Sequence, residues 1–345
     1  MTDLASIAST LVVFGPVAIV AGLVSAALVV LLMPWLKAYA LARPNARSSH
    51  RRPTPQGGGA AVVIATLATV WAGAVILGMF PQVASNEFLA LTGAVLLIAT
   101  VGAIDDIRHL SPLPRFALQS LAVGAVIAML PQDMRVLPML PWWIERACLF
   151  LGFMWFMNLT NFMDGIDWMT VAEAAPIAGA VVLLGLLDVI PALPSLVAFA
   201  LLGAILGFAP FNKPVAKLFL GDAGTLSVGL LLAWLLLHVA ASGHFAAAVI
   251  LPLYYLADAT LTLFRRLIAG EPVWQAHRSH FYQCALDRGF TVSEIVARVF
   301  MVNLALVALA AMTVVYQREV ISLSAFAIGL ILVAWLLAVF AQGKS

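Results

Sequence analysis

A chain of 345 residues that is 63% hydrophobic and only 10% charged is not a soluble globular protein, because soluble domains carry about 25% charged residues. The formal charge of +2 names no partner and gives no reason to expect nucleic acid. Two cysteines, Cys148 and Cys284, are too few for a disulfide framework or a metal-ligand cluster.

Lipid is therefore the solvent for most of the chain, and a bilayer core about 30 Å thick asks for roughly 20 apolar residues per helix. Such runs are predicted at residues 9–35, 59–80, 88–104, 115–131, 143–157, 172–187, 195–209, 224–241, 245–264, 297–315 and 323–341, about eleven spans. No basic segment precedes Leu11, so the first run is expected to stay in the bilayer and not to act as a cleaved leader. Without an evident repeat or low-complexity segment, residues 1–345 read as one all-α domain, a polytopic transmembrane helical bundle.

Lysine and arginine set the orientation, since they are enriched in short cytoplasmic loops. With eleven spans and the N-terminus outside, fifteen of the eighteen basic residues fall on the inner side, leaving Arg135, Arg146 and Arg318 outside. The C-terminus is then cytoplasmic. The longest inner loops are predicted at 36–58, 158–171 and 265–296, so the working surface is expected on that side.

In chain order, the first inner loop is basic and then glycine-rich, from Ser48 to Gly59. Positive-inside topology explains its arginines, while its Pro-Thr-Pro-Gln-Gly-Gly-Gly run predicts a rigid turn with exposed backbone N–H groups. Asp105 and Asp106 close the third span, where a pair of interfacial charges is an equally good reading. Asn158, Asn161, Asp164 and Asp167 recur at a spacing of three, which places them along one side of a helical turn. Asp222 sits between glycines in Phe219-Leu-Gly-Asp-Ala-Gly-Thr225, where a helix N-terminus is expected to favour a bound anion. Asp258 lies inside the ninth span and is either functional or ion-paired with Arg265 and Arg266. His277, Arg278 and His280 follow in the longest inner loop and read best as anion or phosphate contacts. Acids with so little neighbouring counter-charge call for a cation, and hard oxygen ligands suit Mg²⁺.

Taken together, these motifs resemble the polyprenyl-phosphate N-acetylhexosamine-1-phosphate transferases, the bacterial glycosyltransferase family 4. The matching segments run in order over nearly the whole chain: His50 to Gly59, Asp105-Asp106, Asn158 to Asp167, Asn212 to Thr225, and His277 to Gln283. The resemblance implies that Asp222 ligates Mg²⁺ (with Mn²⁺ as a substitute) and that Asp105 and Asp106 sit beside the metal and the lipid phosphate. It implies that Asn161, Asp164, Asp167 and Phe219 surround a uridine nucleotide, with Phe219 stacked on the base. Lys217, His277, Arg278 and His280 match positions near the phosphates and sugar. A UDP-sugar donor, a polyprenyl phosphate acceptor, a bacterial plasma membrane setting and, as an open option, a homodimer follow from the same likeness. The chain departs from the family's pattern at two places. Trp168 stands where most relatives carry glycine, so the turn is expected to be built differently. His-Arg-Ser-His replaces a triple histidine, which argues against a MurNAc-pentapeptide substrate and toward an O-antigen-like or exopolysaccharide pathway. The rival readings are a secondary transporter, whose polar groups would lie at mid-membrane on broken helices, and an inactive scaffold.

Overall fold

The computed structural model describes residues 4–42, 53–108, 110–272 and 277–344, so the basic half of the first inner loop, Ser48 to Arg52, lies outside the described residues. The chain runs as α1 (Leu4–Tyr39), β1 (Leu41–Ala42), β2 (Thr54–Pro55), α2 (Gly59–Ile76), α3 (Phe80–Val83), α4 (Asn86–Arg108), α5 (Pro112–Met129) and α6 (Trp142–Met163). It continues with α7 (Met169–Leu186), α8 (Ala192–Asn212), α9 (Asp222–Ala241), α10 (Phe245–Ile250), α11 (Leu253–Ile268), α12 (Phe281–Asp287), α13 (Val292–Tyr316) and α14 (Glu319–Gln342). The two short strands pair antiparallel, Leu41 opposite Pro55 and Ala42 opposite Thr54.

Among the described residues, nine helices are long and apolar enough to cross a bilayer: α1, α2, α4, α5, α7, α8, α9, α13 and α14. The expected fifth span corresponds to α6, whose 22 residues extend about 33 Å. That helix continues to Met163, six residues beyond the predicted end, and so carries Asn158 and Asn161 on the helix and not in a loop. The expected ninth span is not one helix. It breaks between α10 and α11 at Leu251-Pro252, because proline has no N–H for the preceding turn and its ring crowds that turn.

The centre of the bundle is α9, with its apolar stretch buried throughout. Around it pack α2, α4, α6, α7, α8 and α10, while α1 lies against α8, and α14 packs on α13. Leu11, Ile19, Leu23 and Leu31 of α1 point outward, as a lipid solvent permits. Where lipid removes the apolar driving force between helices, close packing of small residues takes its place. The α1–α8 contact shows this: a side chain on Gly203 would run into the Ala18 carbonyl, and one on Gly207 into the Gly22 carbonyl.

The helix ends sort into two faces. On one, Glu87 at the start of α4 takes hydrogen bonds from the end of α9, 2.8 Å from Trp234 Nε1 and 2.8 Å from His238 Nε2. Buried Glu145 fastens the 130–141 connection there by accepting the N–H groups of Val136 and Leu137. The other face gathers the ends of α4, α6 and α8 with the starts of α7 and α9. Most of the motif residues lie there.

Candidate active site

Gly221, at φ 75°, turns the chain so that Asp222 opens α9. A glycine at that point has no side chain with which to cap the helix. The cap comes instead from α4: Asp106 Oδ1 accepts the Asp222 N–H at 3.0 Å, and its other oxygen lies 3.5 Å from the Ala223 nitrogen. The helix N-terminus expected to attract a substrate anion is already satisfied by the protein's own carboxylate. Asp106 is thus committed to holding Asp222 in place. The glycine run is corrected in the same way. Gly58 and Gly59 donate their N–H groups to the carbonyls of Phe219 and Leu220 at 2.9 and 2.8 Å, so these groups are not exposed to a ligand. Any side chain on Gly59 would strike Gly224, so glycine here serves the close approach of α2 to α9.

Beside this junction lies the polar centre. Asp105, near the end of α4, and Asp222, at the start of α9, meet at a shared arginine. Arg115, from the first turn of α5, places Nη1 2.5 Å from Asp105 and 3.3 Å from Asp222. Asn161 Nδ2 donates to Asp222 Oδ1 and to Thr225 Oγ1, both at 2.8 Å. The backbone N–H of Leu110 adds a 2.6 Å bond to Asp105. Sequence reading had placed Arg115 only among the inner-face charges; its position one turn into a helix that follows Asp105-Asp106 was the available signal.

The expected row from Asn158 to Asp167 does not act as a row. Asn158 turns to α5 and donates to Gln119 Oε1 at 3.1 Å. Asp164, just past the end of α6, accepts from Thr170 Oγ1 at 2.5 Å. Burial pushes the Asp164 carboxyl up to about 6; the bond from Thr170 opposes that rise and the charge of Asp222 adds to it. Asp167 is buried and accepts the Ala216 N–H at 3.0 Å.

Trp168 adopts φ 63° and ψ 3°, the left-handed conformation that glycine enters without strain. Backbone and side chain both anchor the turn: the Trp168 N–H bonds Asn212 Oδ1 at 2.8 Å, and the indole N–H bonds the Ala209 carbonyl at 2.6 Å. Trp168→Ala should lose the indole bond and keep the strain, whereas Trp168→Gly loses the indole bond but relieves the strain, both keeping the backbone bond to Asn212. Thermal unfolding in detergent micelles is expected to find the Ala variant less stable than the Gly variant by about 1 kcal/mol. The opposite order would mean that the backbone stores no strain there.

A cavity of about 1470 Å³ opens beside this turn, lined in part by Lys37, Pro55, Asp167, Phe211 and Lys217. Half-buried Phe219 is pinned next to it, its N–H bonded to the Pro55 carbonyl at 2.9 Å.

The histidine segment reaches the Asp164 turn through Tyr282, whose hydroxyl donates to the Phe162 carbonyl at 3.3 Å. Arg278 pairs with Asp287 of α12 at 3.2 Å, and the Ser279 hydroxyl lies 2.9 Å from His277 Nδ1. His280 is buried, its ring 4.8 Å from that of His277, and its Nδ1 is 3.4 Å from Asp258. The buried imidazole thus faces Asp258, a buried acid of α11. Neither Arg265 nor Arg266 pairs with Asp258, against the ion-pair expectation: Arg265 bonds the Ser279 carbonyl, and Arg266 pairs with Glu271.

The fold and site together define a polytopic helical membrane protein whose acidic, amide and guanidinium groups converge where buried helices end on one face. Residues 88–240, which hold that centre, match the family model for glycosyl transferase family 4. This match and the relatives below support membership of this family. It is 26% identical to a decaprenyl-phosphate N-acetylglucosaminephosphotransferase of Mycobacterium leprae, over 76% of this chain and 74% of that one. It is 26% identical to a probable undecaprenyl-phosphate N-acetylglucosaminyl 1-phosphate transferase of Bacillus subtilis, over 79% and 78%. A phospho-N-acetylmuramoyl-pentapeptide-transferase of Trichormus variabilis is 31% identical over 61% and 60%.

Proposed function

We propose that this chain transfers an N-acetylhexosamine-1-phosphate from a UDP-sugar to polyprenyl phosphate, releasing UMP, and so starts an envelope polysaccharide of the O-antigen-like or exopolysaccharide kind. The observation that carries this reading is the Asp105–Arg115–Asp222–Asn161 centre at the start of the central helix. In the reaction an oxygen of the acceptor phosphate bonds the β-phosphorus of the donor. The phosphoanhydride bond breaks, and UMP leaves with the electron pair. A phosphomonoester has a second pKa near about 6, so the acceptor is largely ionised at neutral pH and needs little help from a base.

Both reactants are anions, and this chain's side chains supply the countering geometry. Arg115 offers a fixed positive charge beside two carboxyls, and Asn161 fixes the rotamer of Asp222. Lys217 stands at the cavity where the donor's uridine and phosphates fit, with Phe219 adjacent for the base. The donor set suits Mg²⁺, because the carboxylate and amide oxygens of Asp105, Asp222 and Asn161 are hard ligands. Asp222, aided by Asp105, would hold such an ion, which would neutralise charge on the phosphoryl oxygens.

The test is UMP release by membranes carrying the protein, across a panel of UDP-sugars, with and without polyprenyl phosphate. Release that requires both a UDP-N-acetylhexosamine and the acceptor is expected; acceptor-independent release from every donor would refute the transfer. Cytosolic donors also require the acidic face to be cytoplasmic. Cysteines introduced at the exposed positions Pro53 and Glu271 should therefore react with an impermeant reagent only in inside-out vesicles. Labelling in intact cells would reverse the orientation.

A further inference from the structure

One buried acid, Asp258, takes no part in the centre described above, yet it is the most heavily engaged carboxylate in the fold. It is fully buried within α11. Its Oδ1 accepts the Phe281 N–H at 3.0 Å and the Thr262 hydroxyl at 3.3 Å. Its Oδ2 accepts the Tyr282 N–H at 3.3 Å and the Tyr254 hydroxyl at 3.2 Å. Two of these donors are the first backbone N–H groups of α12, so Asp258 caps that helix from a different segment of the chain. The other end of the connection is Tyr282. Its ring is fully buried, its hydroxyl donates to the Phe162 carbonyl at 3.3 Å, and any side chain on Gly165 would strike that hydroxyl. Phe162 and Gly165 flank Asp164 in the turn between α6 and α7.

We propose that Asp258 is a positioning residue for donor recognition: by capping α12 it seats Tyr282 against the Phe162–Gly165 turn and so sets the carboxylates Asp164 and Asp167. The proposal rests on the transferase reading for its kinetic consequence, but its structural content stands apart from it. A capped α12 fixes the depth of Tyr282, and a glycine at 165 leaves no side chain to cushion a displacement. His277 and Arg278 share the segment fastened by this cap, with Arg265 adding a 2.6 Å bond to the Ser279 carbonyl.

Asp258→Asn tests the idea with almost no change of shape. The amide has one oxygen where the carboxylate has two, so one of the two α12 N–H groups loses its acceptor. With the full chain in membranes, the donor KM is expected to rise about tenfold, as loss of a hydrogen bond to a charged group does. The acceptor KM should stay within about twofold, because the lipid phosphate does not use this turn. Tyr282→Phe keeps the ring and removes the bond to Phe162; it should shift the donor KM the same way by less, and add little on top of Asp258→Asn. Amide hydrogen exchange over residues 160–168 should quicken in both variants. Equal losses for donor and acceptor, or unchanged exchange over 160–168 in a folded variant, would overturn the proposal. If the unmodified protein releases no UMP from any donor, the transferase reading fails, and the exchange measurement still decides the role of Asp258. If Asp258→Asn does not fold, Tyr282→Phe decides both arms alone.

Discussion

Asp222→Asn is expected to lower turnover by at least about 10²-fold, the scale of losing one electrostatic contact to a transition state. The substitution keeps the size of the side chain and its oxygen, so the bond from Asn161 at 2.8 Å survives. The cap on α9 survives as well, since Asp106 bonds the backbone of residue 222 and not its side chain. The protein should therefore insert and fold normally while the charge that attracts a divalent cation is gone. Thermal unfolding and UMP release measured on the same preparation separate these outcomes. Near-normal turnover at an unchanged Mg²⁺ requirement would remove Asp222 from the metal site.

Arg115→Ala should be nearly as severe, on the order of 10²-fold in turnover. Its guanidinium lies 2.5 Å from Asp105 and 3.3 Å from Asp222, and its removal leaves two adjacent carboxyls facing each other. The anionic acceptor would then approach an uncompensated acidic pair. Arg115→Lys provides the internal comparison: a lysine restores the charge on a shorter side chain with a different donor geometry, so activity should lie between the Ala variant and the native protein. Raised Mg²⁺ should recover part of the Ala defect by supplying positive charge to the same pair. Full activity in Arg115→Ala, at ordinary Mg²⁺, would show that the bridge to Asp105 and Asp222 is incidental to transfer.

The bilayer-spanning character of the chain and most helix positions were legible because apolar runs of the right length leave no other solvent. The acids Asp105, Asp106 and Asp222 were legible for a related reason: charge at the end of an apolar helix with no sequence neighbour to balance it stands out. What stayed hidden were the partners that balance it. Arg115 lies ten residues from Asp105 but 107 from Asp222, so only the packing of α5 on α4 and α6, which themselves flank α9, reveals that one guanidinium serves both. The cap supplied by Asp106 to α9, 116 residues away, is likewise invisible to local capping rules, which look for the cap beside the helix. Asp258 misled for the same reason, because the local arginines seemed its natural partners while its donors came from α12. The break at Pro252 and the paired glycines of α8 were written plainly in the sequence, the first as a proline inside an apolar run and the second as small residues one turn apart.

The first turn of α9 touches its neighbours backbone to backbone, Gly59 against Gly224 and Gly102 against Ala223. No layer of side chains lies there to be exchanged for larger or smaller ones, so even one added methyl group has nowhere to go. The outward leucines of α1, by contrast, can drift among apolar types with little consequence. Room for added bulk in such a molecule therefore lies on the lipid-facing exterior and not around the head of the central helix, where the aspartate is held by backbone alone on two sides.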